Sequence, residues 1–233
     1  MASDGTVPAD PLLTLRELVA VHGIRVVVSD LDGVLRVFDP ALWDELDAMT
    51  GTAAGTSMSA ILGHPYLDEV VRGRGTHARW RELAAEQLVV AGSAPAAARE
   101  AVDRWARTPA TVDPRVRSAL LELRASGTAV FVLTNGTDRV PEELAELGLE
   151  DVVGVDRRFL LNTADLGAAK PEPAAYARAR RRIGEVLGEE IPPASIAFLD
   201  DSQRHVEAAA QCGWQAVLHR AHAAGRPDRK SVV

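Results

Sequence analysis

The sequence predicts an α/β fold, a doubly wound parallel sheet with an inserted α-helical segment, and three observations point to it. Short β-branched apolar runs alternate along the chain with stretches of helical periodicity, the pattern of a parallel sheet covered on both faces. Residues 42–110 break that alternation and carry helical spacing only. A chain of 233 residues with 47% hydrophobic content is long enough for one substantial core and a smaller accessory unit.

The elements follow in order. Residues 1–21 read as a polar arm with Pro8 and Pro11, followed by a short helix on which Leu12, Leu15, Leu18 and Val19 keep one face. Ile24 to Val28 is a buried strand, ended by polar Ser29, Asp30 and Asp32 and the turn residue Gly33. In the insertion, Trp43, Leu46 and Met49, then Trp80, Leu83 and Leu88, then Val102 and Trp105 recur at helical intervals, with Gly51, Gly55, Gly63, Gly73, Gly75 and Gly92 at the joints. The core is expected over 22–41 and 111–220, resuming where Asp113 and Pro114 cap a helix carrying Val116, Leu120 and Leu123. Strands follow at Ala129 to Leu133, Phe159 to Leu161, Ile196 to Leu199 and Ala216 to Leu218. Helices at about Pro141 to Leu147, Pro173 to Leu187 and Ser202 to Gln211 separate them, and 221–233 is a polar tail.

A net charge of −7 argues against general nucleic-acid binding, which rests on clustered Lys and Arg. The single cysteine, Cys212, rules out an intramolecular disulfide framework and fits a reducing compartment, so a cytoplasmic location is expected. No basic leader precedes an apolar stretch and no run of eighteen apolar residues occurs, so no membrane span is expected. The oligomeric state stays open.

In such sheets ligands bind beyond the carboxyl ends of the strands. Three apolar runs end in polar residues there: Asp30 and Asp32 after the first, Thr134 and Asn135 after the second, Asp200 and Asp201 after another, with Lys170 in a nearby loop. Carboxylates gathered in one crevice repel one another unless a cation sits among them. An all-oxygen set of this kind suits magnesium better than zinc. Lys170 and the Thr134 hydroxyl would add charge neutralisation and hydrogen bonding for a phosphoryl group.

These segments resemble the motifs of the haloacid dehalogenase superfamily. Asp30-Leu31-Asp32-Gly33-Val34-Leu35 is similar to its first motif, Leu133-Thr134-Asn135 to its second, Lys170-Pro171-Glu172-Pro173 with Tyr176 to its third, and Asp200-Asp201-Ser202 to its fourth. Order and spacing agree from about residue 24 to 218, and the helical insertion stands where the family places a small cap. The resemblance implies Asp30 as the nucleophile that forms an aspartyl-phosphate and Asp32 as general acid and base. It further implies magnesium on the Asp30 side chain, the Asp32 backbone carbonyl and Asp201, with Asp200 in support. Thr134 and the Asn135 backbone would bind phosphoryl oxygens, and Lys170 would balance charge and orient Asp30.

Within that family, Asp32 favours phosphoryl chemistry, because a phosphate ester releases an alkoxide that needs a proton and a halide does not. The expected activity is therefore a magnesium-dependent phosphatase of a small phosphorylated metabolite. The alternatives are a phosphomutase or phosphotransferase, a 2-haloacid dehalogenase, and a non-catalytic binding module. Arg72, Arg74, His77 and Arg79 are candidates for substrate contact from the insertion. Other features have plainer readings. Gly73-x-Gly75-x-x-Ala78 follows no buried strand and reads as a hinge. Arg178, Arg180, Arg181 and Arg182 read as a solvated helix face. His219 and His222 have no Cys or carboxylate at ligand spacing in the sequence and read as incidental surface histidines, Trp43, Trp80 and Trp105 read as packing residues, and Cys212 as a small packed side chain.

Overall fold

The computed structural model describes residues 10–220; the expected tail at 221–233, with His222, and the first nine residues of the arm lie outside the described residues. Helix α1 (Pro11–Val21) starts where the Asp10 carboxylate accepts the Leu12 N–H at 3.0 Å, with Pro11 at the first helical position. Strand β1 (Val26–Ser29) is buried along its whole length. A tight loop leads to β2 (Arg36–Val37), and five helices follow: α2 (Ala41–Thr50), α3 (Thr56–Leu62), α4 (Tyr66–Val71), α5 (His77–Val90) and α6 (Pro95–Arg107). Strand β3 (Thr111–Val112) then returns antiparallel to β2, with Arg36 opposite Val112.

The α/β alternation continues through α7 (Pro114–Ala125), β4 (Ala129–Thr134), α8 (Val140–Glu146), α9 (Glu150–Val153), β5 (Leu160–Asn162), α10 (Thr163–Leu166) and α11 (Pro173–Leu187). A 3-10 turn at Pro193–Ser195 precedes β6 (Ile196–Asp200), α12 (Gln203–Gln211) and β7 (Gln215–Leu218). The five main strands lie in the order β5-β4-β1-β6-β7, and every pairing is parallel. Asp113 caps α7 as the sequence predicts, its carboxylate accepting the N–H groups of Arg115 and Val116.

Successive residues of a strand face opposite sides, so β1 feeds two apolar layers. Val27 joins Leu12, Leu15, Leu120, Leu144 and Leu199 on one side. Val26 and Val28 join Phe131, Tyr176, Ile183, Phe198 and Trp214 on the other. The helical insertion has a separate core in which Leu42, Leu46, Ile61, Leu88 and Val102 surround Trp80. Trp80 also donates its indole N–H to the Ile61 carbonyl at 2.9 Å, while Trp43 and Trp105 pack at the margin of that cluster.

Local detail departs from expectation in two ways. Strand β5 runs Leu160–Asn162, one residue later than the apolar run suggested, because Asn162 pairs with Thr134 and donates its amide to the Thr137 carbonyl at 2.9 Å. The β2–β3 ribbon and the one-turn helices α9 and α10 were not expected, since two to four residues are too few for periodicity to register. The arginines of α11 behave as expected on a helix that buries Tyr176, Ala179 and Ile183 on its other face.

Candidate active site

Strands β4, β1 and β6 are neighbours, so their carboxyl ends deliver Thr134, Asp30 and Asp200 side by side. This is the crevice where ligands of parallel sheets bind. Asp30 leaves β1 still tied to the sheet, its N–H donating to the Leu199 carbonyl at 2.7 Å.

The deepest part of the site is a cation between two carboxylates. The Lys170 ammonium lies 2.8 Å from Asp30 Oδ1 and 2.7 Å from Asp200 Oδ2, and all three side chains are buried. Asp30 Oδ1 also accepts the Leu31 N–H at 2.7 Å, which leaves Oδ2 without a hydrogen-bond partner among the described residues. Asp200 accepts the Ser202 N–H at 2.8 Å and is approached by His205 Nδ1 at 3.1 and 3.2 Å. Burial pushes the Asp30 carboxyl well above the ordinary range; Lys170 opposes the rise and the charge of Asp200 adds to it. For Asp200 burial acts in the same upward sense, but Lys170 and His205 outweigh it and hold the group below the usual range. Burial would lower Lys170, yet the two carboxylates raise it, so the ammonium stays charged in a dry site.

A second cluster, which begins two residues on at Asp32, stands at the mouth. Arg36, nearly buried, donates from Nε to Asp32 Oδ1 at 2.5 Å, from Nη2 to Asp32 Oδ2 at 2.9 Å, and from Nη1 to Glu143 Oε2 on α8 at 2.6 Å. The intervening loop is a closed turn: the Arg36 N–H donates to the Leu31 carbonyl at 2.7 Å and the Gly33 N–H to the Arg36 carbonyl at 2.8 Å. Gly33 adopts φ +82°, and a Cβ there would sit 2.0 Å from Asp201 Oδ2. The missing side chain is what lets the Asp201 carboxylate lie against this loop.

Asn135 does more than end a strand. Its side-chain amide donates to the Lys170 carbonyl at 2.9 Å and its Oδ1 accepts the Lys170 N–H at 2.8 Å, so β4 holds the loop that aims the lysine. Thr134 is buried beside it at the end of β4. Tyr176 donates its hydroxyl to the His205 carbonyl at 2.9 Å, bracing the helix that carries His205.

The insertion meets the core next to these loops. Arg72 donates to both oxygens of Glu172, two residues past Lys170, and to Asp68. Gly73 passes so close to the Ala164 carbonyl that a Cβ would lie 2.1 Å from it, and the His77 N–H donates to Asp138 at 2.7 Å. Of the side chains expected to touch substrate, Arg72, Arg74 and Arg79 are each neutralised by a carboxylate, Arg74 by Glu69 and Arg79 by Glu82. The His77 side chain makes no ion pair among the described residues; its ring is stacked on Trp105 and edge-on to Trp80, with burial lowering its pKa.

Two sets of groups can be weighed as metal ligands, one gathered by the geometry and one implied by the motif resemblance. Atoms of Asp30, Asp200 and His205 gather within 4.8 Å, but the Lys170 ammonium already occupies the space between the two carboxylates. The other set is the free oxygen of Asp30, the Asp32 carbonyl and Asp201. Asp201, solvent-exposed at the mouth, makes no ion pair among the described residues, and partial desolvation followed by repulsion from Asp200 raises its pKa. A carboxylate left uncompensated beside the Gly33 loop, in an all-oxygen set, fits a hard divalent cation.

Residues 24–213 match the family model of haloacid dehalogenase-like hydrolases. The chain belongs to that family. Among curated proteins it is similar to Phosphatase MT3486 of Mycobacterium tuberculosis, 38% identical over 107 residues that make up 45% of each chain. The match thus spans less than half the length of that relative. Among solved structures it resembles the HAD family enzyme BT-2542 of Bacteroides thetaiotaomicron in complex with magnesium and inorganic phosphate. That likeness has TM-score 0.62 and 20% identity, covering 86% of this chain and 96% of the other. It also resembles the L-2-haloacid dehalogenase of Xanthobacter autotrophicus, at TM-score 0.54 and 22% identity over 83% and 76% of the two chains. At these identities the solved structures speak for the fold, and the fold is that of the family's parallel-sheet core.

Arg36, Glu143 and His205 are the site residues that sequence reasoning missed. Arg36 and Glu143 are 107 positions apart, and no spacing rule joins them. His205, at the fifth position after Asp200, sits on a helix whose first turn faces the strand end; that proximity was the one available signal.

Proposed function

We propose that this hydrolase is a magnesium-dependent phosphatase of a small phosphorylated metabolite, working through an aspartyl-phosphate on Asp30. The observation that carries the reading is the state of Asp30: one oxygen is held by Lys170 and the Leu31 N–H, and the other is free at the strand end. A nucleophile needs that asymmetry, one oxygen oriented and one with open lone pairs.

Oδ2 of Asp30 forms the bond to phosphorus as the bond from phosphorus to the ester oxygen breaks. The departing electron pair goes to that oxygen, which takes a proton from Asp32. Water then attacks the same phosphorus, gives its proton to Asp32, and releases phosphate with Asp30 restored. Thr134 and the Asn135 backbone bind the phosphoryl oxygens, and Lys170 keeps Asp30 oriented while balancing its charge. Asp30, the Asp32 carbonyl and Asp201 would hold magnesium, which would supply charge neutralisation for the phosphoryl group. Residues 42–110 act as a cap over this mouth, excluding water and selecting the substrate. The retention of Asp32 and its outward position favour ester hydrolysis over dehalogenation.

The test is phosphate release from a panel of phosphorylated metabolites and an aryl phosphate, with magnesium or with EDTA, using Asp30→Asn as control. Magnesium-dependent turnover that disappears in Asp30→Asn is the expected result. Halide release from 2-haloacids in EDTA, with no phosphate release, would overturn it.

A further inference from the structure

Arg36 is the most heavily committed side chain at the mouth. Its guanidinium contacts both oxygens of Asp32 and one of Glu143, its backbone closes the Leu31–Arg36 turn at both ends, and the Phe38 ring covers it at 5.2 Å. A planar fork on both oxygens sets the orientation of a carboxylate plane, which a single contact does not. Glu143 fixes the fork in turn, because α8 is anchored in the core by Val140 and Leu144. The chain Glu143–Arg36–Asp32 therefore sets the carboxylate of Asp32 relative to the sheet, and among the described residues no other side chain bonds to that carboxylate.

The kind of contact matters as much as its number. Both Asp32 oxygens accept hydrogen bonds from N–H groups, so the carboxylate is presented as an acceptor. That arrangement fixes the acceptor carboxylate that meets the attacking water and receives its proton. We infer that Arg36, held by Glu143, is a positioning residue for the second half-reaction, the hydrolysis of the aspartyl-phosphate. In that step water oxygen bonds to phosphorus, the bond from phosphorus to Asp30 breaks, and the water proton passes to Asp32. The inference rests on the phosphatase reading above.

Rapid-quench kinetics with an aryl phosphate resolve the two half-reactions, because aryl alcohol release reports phosphorylation of the enzyme and phosphate release reports its hydrolysis. In Arg36→Met, kcat and KM are expected to fall together by about tenfold to a hundredfold, the scale of a misplaced catalytic base. Their ratio should hold within about threefold, with a burst of alcohol near one per site and the phosphoryl adduct visible by intact mass. Arg36→Lys should recover part of the hydrolysis rate. Glu143→Gln, which leaves the turn intact, should shift it in the same direction by a smaller factor and carries the test if Arg36→Met does not fold. A fall in kcat/KM with KM unchanged and no burst would overturn the inference, placing Arg36 in the first step or in stability alone. Absence of any turnover by the wild type would instead sink the phosphatase reading.

Discussion

Two clusters in this site share one plan, a cation between two carboxylates, and differ in almost every physical respect. In the inner cluster Lys170 is 1% exposed and joins Asp30 at 8% and Asp200 at 0%; in the outer one Arg36 at 8% joins Asp32 at 44% and Glu143 at 29%. The lysine is a compact point charge that touches one oxygen of Asp30 and leaves the other free to react. The arginine is a rigid fork that takes both oxygens of Asp32 and fixes a plane. Burial separates them energetically as well. An inner carboxylate stripped of its cation has no water to turn to, whereas an outer one does. The proposed nucleophile and proton carrier thus lie two residues apart in sequence and under different electrostatic regimes.

The largest effect should come from breaking the inner cluster. Lys170→Met strands two buried carboxylates and is expected to cost about 3–5 kcal/mol in urea unfolding, with loss of turnover. Arg36→Met should cost only about 1 kcal/mol by the same measurement, because water can solvate Asp32 and Glu143. Equal losses would erase the distinction. Between these falls Gly33→Ala, which places a methyl group into the Asp201 carboxylate at φ +82° and should cost about 1–2 kcal/mol; if the proposed magnesium site is right, it should also abolish the thermal stabilisation that added magnesium gives the wild type.

Asp201 sharpens the comparison, being the carboxylate with no cation of its own. Its folded pKa is raised, so its contribution to stability is full below the unfolded carboxylate pKa and is lost as pH rises through the folded value. Metal-free Asp201→Asn should therefore melt higher than wild type at neutral pH and converge with it in acid. A lower melting temperature at neutral pH would count against this account. The smallest effect belongs to Arg72 and Glu172, which join insertion to core with one partner well exposed. A double-mutant cycle on the pair should give a coupling below about 1 kcal/mol, and a larger value would show that the insertion is docked far more firmly than its surface ion pair implies.

Much of the site was legible in the chain because it lies at strand ends. Apolar runs such as Val26-Val27-Val28 and Phe131-Val132-Leu133 announce buried strands, and parallel topology brings their polar termini together, so Asp30, Thr134, Asp200 and Asp201 were nameable without coordinates. The second role of Asn135, locking the Lys170 loop through a reciprocal amide pair, was not legible, since it depends on how two loops meet. The arginines of the insertion were misleading for a related reason. Sequence shows their charge, but only the fold shows that Arg72, Arg74 and Arg79 are already matched by Glu172, Glu69 and Glu82.

By itself the sequence determined the class of fold, the family and the inventory of carboxylates, because hydrophobic period and residue order are local properties carried along the chain. Tertiary structure alone decided which cation serves which carboxylate. Lys170 could reach Asp30 only once β1, β6 and the loop before α11 had packed, and Arg36 could bridge Asp32 to Glu143 only once the start of β2 had come within reach of α8. Electrostatic pairing depends on distance and burial, and neither exists until the chain has closed on itself.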